Sequence, residues 1–141
     1  MFPLFAASCN ARPIEGCHTD GMRLPCVIVD DNESFLEVAR SLLERQGMTV
    51  VGVATTGAEA VRQARELRPD VALIDISLGT ESGFDVARLL VGHAGHVIMI
   101  SSRDEADYAG FIAEGPAVGF LSKADLSAGA ILRLLDAAGQ H

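Results

Sequence analysis

The chain has 141 residues, 49% of them apolar and 21% charged, and a net charge of −8. That profile fits one globular domain, long enough to bury a core without disulfides or metals. The acidic balance counts against direct binding of nucleic acid or of an anionic membrane surface, and no apolar run is long enough to cross a bilayer.

Residues 1–22 differ from the rest of the chain: they hold two prolines, two cysteines and no sustained period. Phe2 to Ala7 is apolar but short and has no basic residue ahead of it, so it does not read as a signal peptide. We expect a poorly ordered extension here and one domain over 23–141, with Met22 as a candidate natural start. Mass spectrometry of native protein carrying an intact Met1 would overturn the Met22 expectation. The odd cysteine count (Cys9, Cys17, Cys26) argues against a disulfide framework or zinc site, and Cys26 reads as a buried thiol. The four histidines show no metal-ligand spacing, and His93 to His96 reads as a polar loop.

From Leu24 the chain alternates. Cys26–Val29 is a predicted strand ending in Asp30-Asp31. A helix capped by Asn32 or Asp31 runs to about Gln46, with Phe35, Val38, Ala39, Leu42 and Leu43 at helical spacing and Gly47 as its stop. Thr49–Ala54 is the second strand. Thr56 caps a helix carrying Ala60, Val61, Ala64 and Leu67, with Pro69 just past its end. Asp70–Asp75 is the third strand and Ser77–Gly83 a loop. Phe84–Val91 is helical, with Val86, Leu89 and Leu90 on one face. Val97–Ile100 is the fourth strand, followed by Ser101-Ser102 and a short helix over Asp104–Ala113. Ala117–Leu121 is the fifth strand, ending at Ser122-Lys123. The last helix spans about Leu126–Ala138 around Ile131, Leu132, Leu134 and Leu135. This alternation implies a parallel sheet with helices on both faces, and ligands beyond the carboxyl ends of the strands.

The polar residues at those ends are Asp30 and Asp31, Asp75, Ser101 and Ser102, and Lys123. Taken singly each has an ordinary reading: a helix cap, a turn residue, a surface lysine. Together they fall on one edge of the sheet. If the first and third strands are neighbours, three carboxylates converge, repel one another and raise at least one pKa. Mg²⁺ would relieve that crowding, since it takes carboxylates, waters and phosphate oxygens. With Lys123 as a cation and Ser101 as a hydroxyl donor, the parts suffice for phosphoryl transfer to a carboxylate.

The chain from about Leu24 to Ala138 resembles the receiver domain of two-component response regulators. The resemblance rests on Val27 to Asn32, on Asp70 to Asp75 with Gly83 beyond, on Ile100-Ser101, and on Gly119 to Lys123. It implies a flavodoxin-like, doubly wound, five-stranded parallel sheet of order 2-1-3-4-5. It implies Asp75 as phosphoacceptor from a sensor histidine kinase or histidine phosphotransfer protein. It also implies Asp30, Asp31, Asp75 and the Ser77 carbonyl around Mg²⁺, Lys123 on the phosphoryl oxygens, and Ser101 and Phe120 as the switch. A cytoplasmic signalling protein is implied, one that catalyses only its own phosphorylation and dephosphorylation and acts on an unidentified downstream protein. A homodimer through the fourth or fifth helix is possible, with no sequence feature in its favour.

The chain departs from the family pattern at Leu78-Gly79, where the loop after Asp75 has no proline, and at Ala124, Phe120 and Ser101. Ser77 and Arg103 are expected to tune water access to a phosphorylated Asp75. Three other readings stay in view. A receiver-like module that is never phosphorylated is opposed by the intact Asp30, Asp31, Asp75, Ser101 and Lys123. An aspartyl-phosphate enzyme is opposed by Ser77, where a second acid is usual. The receiver part of a DNA-binding regulator is compatible with Gly119–Leu135, which resembles receivers fused to such domains.

Overall fold

The computed structural model describes residues 24–102 and 117–137. The extension over 1–22, Arg103 and the helix expected over Asp104–Ala113 lie outside them.

Five apolar runs become five parallel strands: β1 (Pro25–Val29), β2 (Thr49–Ala54), β3 (Val71–Asp75), β4 (His96–Ser101) and β5 (Gly119–Ser122). Their order in the sheet is β2-β1-β3-β4-β5, the expected 2-1-3-4-5 pattern. The helices α1 (Glu33–Arg45), α2 (Gly57–Leu67), α3 (Gly83–Leu90) and α4 (Ala128–Ala137) cover both faces. The central strands are buried on both sides, and alternate residues serve separate cores. Cys26, Ile28, Val71, Leu73, Ile98 and Ile100 pack with Leu43 of α1 and Ile131 of α4. Val27, Val29, Ile74 and Met99 pack with Ala60 and Ala64 of α2 and Val86 and Leu90 of α3. Burial pushes the Cys26 thiol up to about 12.

The helix ends follow from local chemistry. The Asn32 side chain accepts the Phe35 N–H to open α1, and Thr56 accepts the Glu59 N–H to open α2. Gly47, with φ +97°, takes the left-handed turn after α1. The helix faces differ in part from the sequence reading. Val38 is 65% exposed and Leu36 is buried in its place, Leu89 is 59% exposed, and Leu67 is 43% exposed. The stripe on α1 runs through Leu36, Ala39 and Leu43, so Val38 falls outside it. The segment after Asp75 is not a plain loop. Ser77–Leu78 and Glu81–Ser82 form a small antiparallel hairpin, pairing Ser77 with Ser82 and Leu78 with Glu81. Lys123–Asp125 form a 3₁₀ turn, so the last helix starts at Ala128 and not at Leu126.

β2 ends the sheet. The Gln63 Nε2 amide of α2 donates to the Val53 carbonyl at 2.8 Å, and Gln63 Oε1 is buried with no hydrogen bond.

Candidate functional site

Strand register assembles the site. Val29 lies opposite Ile74, which sets Asp30 level with Asp75. Asp75 lies opposite Ile100, so Ser101 is one step further along β4. Ser101 lies opposite Ser122, which puts Lys123 immediately beyond. Each strand thus ends its apolar run on one edge, and its next residue is polar.

Asp30 is fully buried, Asp75 is 7% exposed, and Asp31 faces solvent. One carboxylate oxygen from each lies within 4.8 Å of one from each of the others. Lys123 Nζ is 2.7 Å from Asp30 Oδ2 and 3.5 Å from Asp75 Oδ2. Nζ also lies over the Phe35 ring, 4.4 Å from its centroid, a favourable cation–π contact. Asp30 Oδ1 accepts the Asn32 N–H at 2.8 Å, and Asp75 Oδ1 accepts the Ser77 N–H at 3.3 Å. Asn32 therefore caps α1 and orients Asp30 together.

Burial, then the neighbouring Asp30 charge, push the Asp75 carboxyl up to about 6, while Lys123 and the Ser77 N–H pull it back. The crowding expected from sequence is thus present, and one cation does not remove it. Asp30 Oδ2 makes a close ion pair with Lys123 and has no hydrogen-bond partner beyond it. A buried carboxylate oxygen with spare acceptor capacity, beside two further carboxylates of which one is open to solvent, fits a hard divalent cation.

Ser101 is buried at the end of β4, and Phe120 is buried in the α2–α3 half of the core. One contributor escapes a sequence reading, and a second is visible in the sequence without its reason. Phe35 reads from its spacing as a core residue only, and nothing local signals that its ring sits under Lys123. Gly83 stands out in the sequence for its distance from Asp75, but its reason is packing: a Cβ there would collide with the Asp75 carbonyl oxygen and lie 2.8 Å from Ile76 Cα.

A family model described as the response regulator receiver domain matches residues 26–133. A Pseudomonas aeruginosa protein is 35% identical over 99 residues, covering 69% of this chain and 48% of that protein. The response regulator GacA of Pseudomonas viridiflava is 31% identical over 100 residues, covering 69% of this chain and 47% of GacA. The DNA-binding transcriptional activator EvgA of Escherichia coli K12 is 28% identical over 99 residues, covering 69% of this chain and 48% of EvgA. The chain thus spans about half the length of these curated relatives. Among solved structures, a LuxR-family two-component response regulator from Aurantimonas sp. SI85-9A1 superposes with a TM-score of 0.71 at 26% identity, covering 84% of this chain and 88% of that one. The signal receiver domain of NarL from Mycobacterium tuberculosis gives 0.68 at 31% identity, covering 84% and 98%. With the family model spanning most of the chain and the sheet order and strand-end carboxylates in place, the chain belongs to the response regulator receiver domain family.

Proposed function

We propose that residues 23–141 are one phosphoacceptor receiver, in which Asp75 takes a phosphoryl group from a phosphohistidine on a sensor kinase or phosphotransfer protein. The observation that carries this reading is the convergence of Asp30, Asp31 and Asp75 within 4.8 Å, with Lys123 Nζ at 2.7 and 3.5 Å from two of them. An Asp75 carboxylate oxygen attacks phosphorus, the new O–P bond forms, and the N–P bond breaks with the imidazole nitrogen as leaving group. Mg²⁺, held by Asp30, Asp31, Asp75 and the Ser77 carbonyl, would supply charge neutralisation at the phosphoryl oxygens. Lys123 stands where it can pass from Asp75 to those oxygens. The rigid β3 mount and the Ser77 N–H keep Asp75 in line for attack.

The phosphoryl group adds about −1.5 to −2 charges and new acceptor oxygens. Ser101 donates to one of them and so favours one of two packings around β4 and β5. Phe120 is buried already, so the Ser101 bond would hold the ring inward. Ser77 would share control of water access with Arg103, as the resemblance implies. From membership of the receiver family we infer a cytoplasmic signalling role; separately, among the described residues no helix is long and apolar enough to cross a membrane.

Incubation with acetyl phosphate and Mg²⁺, followed by intact-mass analysis, tests the reading. Wild type should gain one phosphoryl group and Asp75→Asn none. No uptake by wild type, or equal uptake by both, would overturn it. A second reading, the receiver portion of a DNA-binding regulator, is favoured because EvgA is a DNA-binding activator and the chain spans 48% of it. Sequencing the coding region beyond the His141 codon decides it: a stop codon there would exclude this reading.

A further inference from the structure

Glu81 lies outside the acidic cluster, yet it ties down the segment just beyond Asp75. Its Oε2 accepts the Gly57 N–H at 3.1 Å, across 24 residues of sequence. Gly57 opens α2, so its N–H is one that the helix cannot bond internally. Thr56 serves the Glu59 N–H, and Glu59 serves the Thr55 N–H. Within the described first turn of α2 the Gly57 N–H is the one given to a distant side chain, whose negative charge also meets the positive end of the α2 dipole. The seat is shaped for that carboxylate. A Cβ at residue 57 would collide with Glu81 Oε1 and lie 2.8 Å from Val86 Cγ2, so glycine lets the carboxylate and α3 come this close.

At its other end the hairpin borders the site. Ser77, paired with Ser82, donates its N–H to Asp75. The turn at Gly79 has φ +62°, and a Cβ there would lie 3.5 Å from Asp31 Oδ2. The Gly83 N–H closes the hairpin base on the Ile76 carbonyl at 2.7 Å. Two residue pairs do not make a stable hairpin unaided. The outgoing strand is anchored at Asp75, and the return strand is anchored at its base by the Gly83 N–H and along its length by Glu81.

We propose that Glu81 is a positioning residue: by fastening the return strand to α2 it fixes the Ser77 backbone beside Asp75, and so sets the cation affinity of the site. This rests on the receiver reading above. The test is a Mg²⁺ titration of the full chain followed by amide NMR, with Glu81→Ala and Glu81→Gln, together with hydrogen exchange at Ser77 and Gly57 in metal-free protein. Losing one hydrogen bond should weaken Mg²⁺ binding about fivefold in Glu81→Ala and speed exchange at both amides. Glu81→Gln keeps an acceptor oxygen but loses the charge facing the α2 dipole, and should fall between wild type and Glu81→Ala. Glu81→Ala binding as tightly as wild type, or Glu81→Gln falling as far as Glu81→Ala, would overturn the proposal. Wild type that binds Mg²⁺ but takes no phosphoryl group from acetyl phosphate would sink the receiver reading alone, with Glu81 still decided by the titration. Wild type that binds no Mg²⁺ would sink both.

Discussion

Asp75→Asn should make the metal-free protein more stable, and only above the acid range. The Asp75 carboxyl is pushed from an ordinary 3.8 to about 6 by burial and by Asp30. A carboxyl whose folded pKa is raised binds a proton on folding between those values. Its contribution to stability is present below about pH 4 and lost as pH rises through about 6. Roughly two pKa units correspond to about 3 kcal/mol of penalty on the ionised native state near neutrality. Asparagine keeps the shape and removes the charge, and Lys123 retains Asp30 as partner at 2.7 Å. Thermal unfolding in EDTA should therefore show a gain about 2 kcal/mol larger near pH 7.5 than near pH 4, a difference on the order of 5–10 °C in Tm. Mg²⁺ at about 100 times its Kd should raise wild type by about 2.7 kcal/mol and remove most of the gap. Asp75→Asn unfolding below wild type near neutrality, or gaining equally at both pH values, would refute the reasoning.

Lys123→Ala leaves the fully buried Asp30 carboxylate without its cation and should cost about 3–5 kcal/mol in EDTA, partly restored by Mg²⁺, as read by urea unfolding. Gly83→Ala drives a Cβ into the backbone at Asp75, which no rotamer can relieve; a loss of about 3 kcal/mol or more is expected, and one under about 1 kcal/mol would show that the approach is slack. In a Cys9→Ser, Cys17→Ser background, Cys26 should be silent to a thiol reagent at neutral pH until the chain unfolds, because burial pushes its thiol up to about 12. Reaction at the rate of free cysteine would contradict that.

The strands are legible in the sequence because each is an apolar run closed by a polar residue, as in Val27 to Asp30 or Leu73 to Asp75. Register is not legible in the same way, since strands buried on both faces carry no alternation; the meeting of Asp30 and Asp75 appears only in the strand pairing itself. The helix faces are harder. Alanine fills much of the buried stripe on α2, so larger residues such as Leu67 dominate the pattern although they lie at the rim. The hairpin after Asp75 is out of reach, since two residues a side carry no period and Ser77, Glu81 and Ser82 are not strong strand formers. Phe35 under Lys123 and Glu81 over Gly57 are contacts between distant segments, which no local pattern announces.

The amide of Gln63 has a consequence for how copies of this chain meet. The last strand of a sheet invites another strand alongside it, yet the Val53 carbonyl is already occupied by Gln63 Nε2. Glycine at 52 makes room for that amide, because a Cβ there would collide with Gln63 Oε1. The sequence accepts a weak strand former and one unbonded buried oxygen at the place where a stronger strand would recruit strangers. Gly52→Val, a gain by strand propensity alone, should evict Gln63 and leave a protein that self-associates through its outer strand.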